Sequence, residues 1–482
     1  MRPSGVSVEN AAEATRSGRR VAVVGGGIAG LAAAYELVSE PDDAGLSVDL
    51  YEARERLGGV IRTDYVDGYV LDAGPDAILT LKPAALELCR ELGIEDEIIP
   101  TRDEDRGVAL YSRGKLRPLP YGTGSSWLRK IFAYASSGVV SWRSKLRMAA
   151  DLVIPRGPQA DDESMADFFG RRLGHEAVDR IVDPLIAGIY SGDPDRLSIM
   201  STFPRFPQMV ARNRSILLSL LKAPQSGRSG TRTLPVFCSL RRGLAQLVEA
   251  LEARLQGAAI HLNARVESLT RVGSGYELRT ASGSRPSYSE VILAVPAPIA
   301  ADLLGGDFPE VAARMASIRY VSSGTVFFAY RRDEVADRAR GYGFLVPSRE
   351  GRRINGATWI TNKFEGRSPE DGFLARCFVG GDRTAEVLER DDADLIRICR
   401  DELREIAGID ADPLFGRVYR WRSSNPQYDV GHARRAEEID AALAGVPGLF
   451  VTGSGFRGIG IPDCVKDGRE TARRLLQSTP TH

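Results

Sequence analysis

A chain of 482 residues is too long for one hydrophobic core, so two or three domains are expected. Its 43% hydrophobic and 27% charged residues match an ordinary globular protein and exclude a disordered or fibrous chain. Lys+Arg and Asp+Glu are equal at 64 each, which removes the electrostatic ground for a nucleic-acid partner.

Residues 1–17 are polar and alanine-rich. They lack the apolar stretch of a secretory signal, and a disordered leader is expected there. Arg19-Arg20 then lead into Val21-Ala22-Val23-Val24, a short apolar run that predicts a buried strand. Gly25, Gly27 and Gly30 follow in a G-x-G-x-x-G pattern, and residues 31–37 have helical composition. In such a turn the first glycine permits the tight bend and the second lets backbone approach a pyrophosphate. The third lets helix and strand pack, while the helix N-terminus faces the phosphate charge, with Ile28 and Ala29 in the turn between the glycines. Residues 48–52 read as the second strand, and Glu52 follows Gly30 by 22 positions. There its carboxylate can accept from ribose hydroxyls, beside Ala53. Arg54, Arg56 and Arg62 then surround the pair Gly58-Gly59, with Thr63 next.

Further along, residues 111–204 are mainly helical in pattern, with proline-rich breaks at 118–120 and 154–158. Trp127, Leu128, Ile131, Phe132 and Trp142 lie among Arg129, Lys130, Arg143 and Lys145, a composition suited to an interfacial surface or to the lining of a domain. Residues 222–235 predict a mobile loop. Residues 259–269 have strand character, 290–296 read as a central strand, and 301–414 alternate strands at 324–330 and 373–379 with a helical tract at 394–407. At the far end, 448–453 is an apolar strand ending in glycine. A glycine-dense stretch to Gly460-Ile461-Pro462-Asp463-Cys464 and a helix over 465–477 follow. Such a strand-to-helix turn is again a cofactor cradle, and its helix N-terminus would stabilise negative charge. The five cysteines show no C-x-x-C spacing, which suits reduced thiols in a cytosol. His175, His261, His432 and His482 form no visible constellation, and no apolar run is long enough for a bilayer span. No second G-x-G-x-x-G sits between a strand and a helix, so a nicotinamide domain is not expected.

Arg56-Leu57-Gly58-Gly59 resembles the R-x-G-G motif of the amine-oxidase-like flavoprotein superfamily. A longer series is more specific: residues 58–63, Leu71-Asp72-Ala73-Gly74-Pro75, Gly188-Ile189-Tyr190-Ser191-Gly192-Asp193-Pro194, residues 341–347 and Pro426-Gln427-Tyr428. Together these resemble the protoporphyrinogen/coproporphyrinogen oxidase family, from about residue 19 to the end. The resemblance implies an α/β, Rossmann-like FAD domain (18–83, 237–300 and 415–482). It also implies an inserted α+β substrate domain (84–110, 205–236 and 301–414) and a mainly helical domain (111–204) that makes peripheral membrane contact in some members. It implies non-covalent FAD held by the residues around Gly25–Gly30 and Glu52–Arg54, and by Gly58, Gly59, Arg62 and Thr63. Val266, Gly453, Gly460, Ile461 and Cys464 complete that set.

The implied activity removes six electrons from a porphyrinogen, with dioxygen as acceptor and hydrogen peroxide formed. The flavin carries the chemistry, so no catalytic side chain is required. Leu345, Thr358 and Phe378 would lie at the substrate cavity, with Gly188, Ile189 and Tyr190 opposite and Lys363 and Arg106 as candidate propionate partners. The stretches 356–363 and 460–464 resemble the bacterial coproporphyrinogen branch, whose substrate carries four propionates instead of two, so a more cationic pocket is sensible. Protoporphyrinogen IX is the alternative substrate. An amine oxidase, a carotenoid desaturase and a non-catalytic flavin-binding scaffold are the rival functions. A cytoplasmic enzyme with a ferrochelatase-type acceptor for its product is the expectation.

Overall fold

The computed structural model describes residues 19–40, 45–102, 107–119, 137–157, 161–222 and 234–478. The leader at 1–17, Arg106, the residues Trp127, Leu128, Arg129, Lys130, Ile131 and Phe132, most of the 222–235 loop, and His482 lie outside them.

The apolar run beginning at Arg19 forms β1 (Arg19–Val24), the glycine turn opens α1 (Ile28–Val38), and β2 (Leu46–Tyr51) follows. All five strands of this sheet are parallel, in the order Ala258–His261, β2, β1, Glu290–Leu293, Leu449–Val451. Parallel strands covered on both faces need continuous apolar runs rather than alternation, and Val21, Ala22, Val23, Val291, Ile292 and Leu293 are all fully buried. The predicted central strand at 290–296 takes an interior position for that reason. The predicted 259–269 strand is broken instead. Ala258–His261 joins this sheet, while Val266–Val272 starts a separate antiparallel sheet with Gly275–Thr280 and Ser287–Tyr288.

The last helix, Ile461–Gln477, lies across α1. At their crossing a Cβ on Gly468 would stand 2.2 Å from the Ala29 carbonyl oxygen, so glycine is what allows the two ends of the chain to meet.

A second sheet has seven strands, in the order Phe415–Pro426, Tyr320–Arg331, Gly372–Gly380, Gly356–Trp359, Gly343–Leu345, Val108–Ser112, Lys115–Pro118. Side chains alternate between its faces. Val326, Phe328, Phe344, Ala357 and Cys377 pack on one side with Leu395, Ile398, Cys399 and Leu403 of helix Asp392–Ala407. On the other side Phe327, Ala329 and Leu374 meet Tyr69 and Leu71 of the hairpin Thr63–Val66/Tyr69–Asp72. Here the seven-stranded sheet abuts the domain of the parallel sheet.

Four expected boundaries change. Val108–Ser112 and Lys115–Pro118 are sheet strands rather than the start of the helical block, because they continue the seven-stranded ladder. At its other end the block extends beyond 204 through Arg205–Asn213 and Ile216–Lys222, whose Val210 and Ile216 share a core with Phe168 and Phe169. Phe415–Pro426 pairs with Tyr320–Arg331 and so belongs to the seven-stranded sheet, whereas helix Ala84–Glu91 buries Ala85, Leu88 and Cys89 in the core of the parallel sheet. Among the described residues no helix is long and apolar enough to cross a membrane.

Candidate active site

The glycine turn meets the physical demands placed on it. Gly25 has φ +112°, and a Cβ there would lie 2.5 Å from the Ala294 carbonyl. On Gly30 it would lie 2.0 Å from the Gly25 carbonyl. Gly27 is different: a Cβ would meet nothing within 4 Å, and Gly27 caps α1 with no side-chain hydrogen bond. Open space therefore lies against the uncapped amides of a helix start, which is the requirement for an anionic diphosphate. Gly58 N–H donates to the Gly26 carbonyl at 2.8 Å, and a Cβ on Gly59 would be 3.2 Å from Gly27 Cα, so the Gly-Gly pair forms the adjoining wall. These features fit a flavin dinucleotide.

Glu52 is buried at the end of β2 and accepts from Gly26 N–H and Arg54 N–H, each at 2.9 Å. Asn263 N–H and Ala264 N–H donate to the carbonyls of Arg54 and Glu52 at 2.9 Å, which ties the residues leading into Val266 to the end of β2. Arg54 and Arg56 both donate to the Gly59 carbonyl, at 3.1 and 2.8 Å, and Arg56 also holds the carbonyls of Leu57 and Ile61. Burial and then the Arg54 charge lower the pKa of Arg56. Arg62 is engaged elsewhere, in a two-pronged pair with Asp64. Thr63 donates to Asp72 at 2.6 Å, linking the strand after the Gly-Gly pair to the hairpin.

Apart from Tyr428, the C-terminal turn is held by residues that the motifs did not single out. Gly453 has φ +120° with nothing within 4 Å of a Cβ, while its N–H and the Thr452 hydroxyl donate to buried Asp467 at 3.1 and 2.7 Å. Tyr428 O–H donates to the Ser454 carbonyl and accepts from Gly458 N–H, both at 2.7 Å. His432 stacks on Tyr428 at 3.8 Å, and its Nε2–H donates to the Phe456 carbonyl at 3.1 Å. Only Pro426-Gln427-Tyr428 carried a signal for this network; Asp467 and His432 sit in helices with no local mark. Gly460 starts the final helix without a side-chain cap, and Ile461 and Cys464 are buried below it. Burial, then Asp467 and Asp463, pushes the Cys464 thiol up to about 12, against Lys82.

The predicted substrate residues share one face of the seven-stranded sheet. Phe378 pairs with Gly356, Gly356 with Leu345, and Thr358 with Arg376. A Cβ on Gly188 would be 3.2 Å from Leu345, which places helix Asp183–Tyr190 against that face. Ile189 is exposed, and Tyr190 packs edge-on to Phe203 and tilts over Tyr428. Lys363 does not present an unoccupied ammonium: its Nζ pairs with Asp76 at 2.8 Å. Burial would raise the Asp76 carboxyl, but Lys363 and then Arg376 outweigh it, and its pKa lies below the ordinary value.

The chain is similar to known proteins over most of its length. A model of the flavin containing amine oxidoreductases matches residues 28–476. A coproporphyrinogen III oxidase of Bacillus subtilis is 34% identical over 95% of this chain and 98% of its own length. The chloroplastic protoporphyrinogen oxidase 1 of Arabidopsis thaliana is 28% identical over 93% and 86%. A crystal structure from Exiguobacterium sp. 255-15, provisionally assigned as a protoporphyrinogen oxidase, superposes with a TM-score of 0.84 at 27% identity, covering 96% of this chain and all of that one. The chain belongs to the flavin containing amine oxidoreductase family, within its coproporphyrinogen III oxidase and protoporphyrinogen oxidase group.

Proposed function

We propose that this protein oxidises coproporphyrinogen III to coproporphyrin III in haem biosynthesis, using non-covalent FAD and dioxygen. The carrying observation is the pairing of an open diphosphate cradle at Gly27 with a sheet face that presents Leu345, Thr358 and Phe378 opposite Gly188. FAD, when bound, supplies the acceptor for hydride leaving the substrate. Gly27, Gly59, Glu52 and the segment through Val266 would hold its nucleotide half, and the turn Gly453–Gly460 its ring end. Leu345 and Phe378 would provide the apolar walls that orient a macrocycle and exclude water. A ferrochelatase-type acceptor for the product belongs to the same reading. So does peripheral membrane contact through helix Trp142–Ala149, where Trp142 and Leu146 are exposed one turn apart. Turnover of coproporphyrinogen III and protoporphyrinogen IX in air, with peroxide measured, tests the proposal. Faster turnover of the coproporphyrinogen is expected, and no oxidation of either would sink it.

A thiol held protonated cannot act as the nucleophile for flavin attachment. Acid precipitation should therefore release all the flavin into solution, and Cys464→Ala should keep its flavin content. Flavin retained in the wild-type pellet, and lost from it in Cys464→Ala, would reverse this conclusion.

A further inference from the structure

A compact group of charges lies where the substrate sheet abuts the flavin-type domain. It comprises Asp72, Asp76, Lys363, Arg367 and Arg376, and none of the five is exposed. Lys363 pairs with Asp76 at 2.8 Å and Arg367 with Asp72 at 3.4 Å. Arg376 contacts neither carboxylate directly: Asp76 and Asp72 act on it only at longer range, among the described residues it forms no ion pair, and only its Nη2 donates, to the carbonyls of Gly74 (2.5 Å) and Ala73 (3.4 Å). Its Nε is buried with no hydrogen-bond partner. The guanidinium is 4.9 Å from the centre of the Phe378 ring and 5.4 Å from that of Phe327, and the residue is 5% exposed.

Three cations and two carboxylates leave one surplus positive charge in a largely buried group, of which only Lys363 and Asp76 keep some exposure. Arginine does not escape this by losing its proton, and an uncompensated buried charge is costly. Such an arrangement is explained when a bound group brings negative charge nearby. A substrate carboxylate suits the site poorly, since two aromatic rings flank the guanidinium and almost none of it is accessible. The loop that Arg376 holds points instead to the cofactor. A Cβ on Gly74 would stand 1.9 Å from the Val60 carbonyl, and Val60 follows Gly59, the residue packed on Gly27.

We infer that Arg376 is an electrostatic tuning residue, whose surplus charge stabilises the negative charge that bound flavin gains on reduction and so raises its reduction potential. This inference rests on the flavin reading of the cradle. A fixed charge in a low-dielectric, water-poor site acts over several ångströms without direct contact and is weakly screened by salt.

The test is the potential of the flavin in the purified holoprotein at pH 7, by equilibration with a reference dye. Arg376→Met should shift the ratio of oxidised to reduced flavin about tenfold toward oxidised, about 30 mV for a two-electron couple. Arg376→Lys, which keeps the charge, should restore the wild-type value. Asp76→Asn, which releases the Lys363 charge, should move the potential the opposite way. General damage to the fold would not produce opposite signs. An unchanged potential in Arg376→Met overturns the inference, and a raised Michaelis constant for coproporphyrinogen alongside it would assign Arg376 to the substrate. Should Arg376→Met lose its flavin, Asp76→Asn decides: an unchanged or lowered potential overturns the inference. A wild-type chain that binds no flavin overturns the cofactor reading and this inference together.

Discussion

Gly25→Ala and Gly27→Ala, two residues apart in one turn, should fail in different ways. Gly25 stands at φ +112°, and a methyl group would lie 2.5 Å from the Ala294 carbonyl, just past the end of the neighbouring strand Glu290–Leu293. Backbone strain of about 1–3 kcal/mol and overpacking of similar size then act together, so a loss of about 3 kcal/mol or more is expected. Gly27 stands in ordinary extended backbone (φ −72°, ψ 173°), with nothing near its Cβ. Gly27→Ala should unfold at the wild-type denaturant concentration yet bind FAD about a hundredfold more weakly, because the methyl group holds the diphosphate away from the helix amides. That figure corresponds to losing about 3 kcal/mol, or two charge-assisted hydrogen bonds. Urea titration and flavin retention on gel filtration separate the two outcomes. Wild-type flavin affinity in Gly27→Ala would remove the phosphate role of this turn.

The second large effect is expected on acidification, through His432. Burial lowers its pKa from 6.5 to about 4. The Phe456 carbonyl opposes that, Arg435 adds to it, and Asp429 and Asp162 oppose it in turn. The geometry agrees, since Nε2–H already donates to Phe456 while Nδ1 is buried without a partner. A second proton would have no acceptor. With the folded pKa depressed, the unfolded chain binds the proton first as pH falls. The stability held by neutral His432 is therefore fully present above about pH 6.5, declines below it, and is lost by about pH 4. The shift corresponds to about 3 kcal/mol. Because His432 stacks on Tyr428, which bonds both Ser454 and Gly458, flavin release should accompany this loss. In His432→Phe, which keeps an aromatic ring but cannot titrate, the slope of stability between pH 6.5 and 4 should flatten. Unfolding free energies measured at several pH values decide this, and an unchanged slope would assign it to other groups.

Much of the nucleotide site was legible because glycine has local reasons to be where it is. Gly25, Gly27 and Gly30 answer to a bend, an open approach and a close packing, all within six residues of chain, and Glu52 closes the following strand. The apolar runs at 21–24 and 291–293 were legible for a similar reason: a parallel strand buried on both faces favours a continuous apolar run. The shared face of Leu345, Thr358 and Phe378 was reached only through resemblance to a family, since period-two alternation says which residues share a face but not what that face meets.

Tertiary structure alone decided the rest. Domain boundaries moved because Val108–Ser112 and Phe415–Pro426 are assigned by the strands they pair with, far away in the chain, and strand composition does not encode the partner. Lys363 reads in sequence as an available cation, yet Asp76, distant in the chain, neutralises it. Arg376 reads as one arginine among many on an apolar strand, and its surplus charge emerges only when every neighbouring carboxylate is found to be taken. Sequence by itself determined the cradle of a dinucleotide, because the chemistry of that turn is local. Which charges are paired, which are stranded and which hold the flavin turn depends on sums over distant segments, and only the folded chain performs those sums.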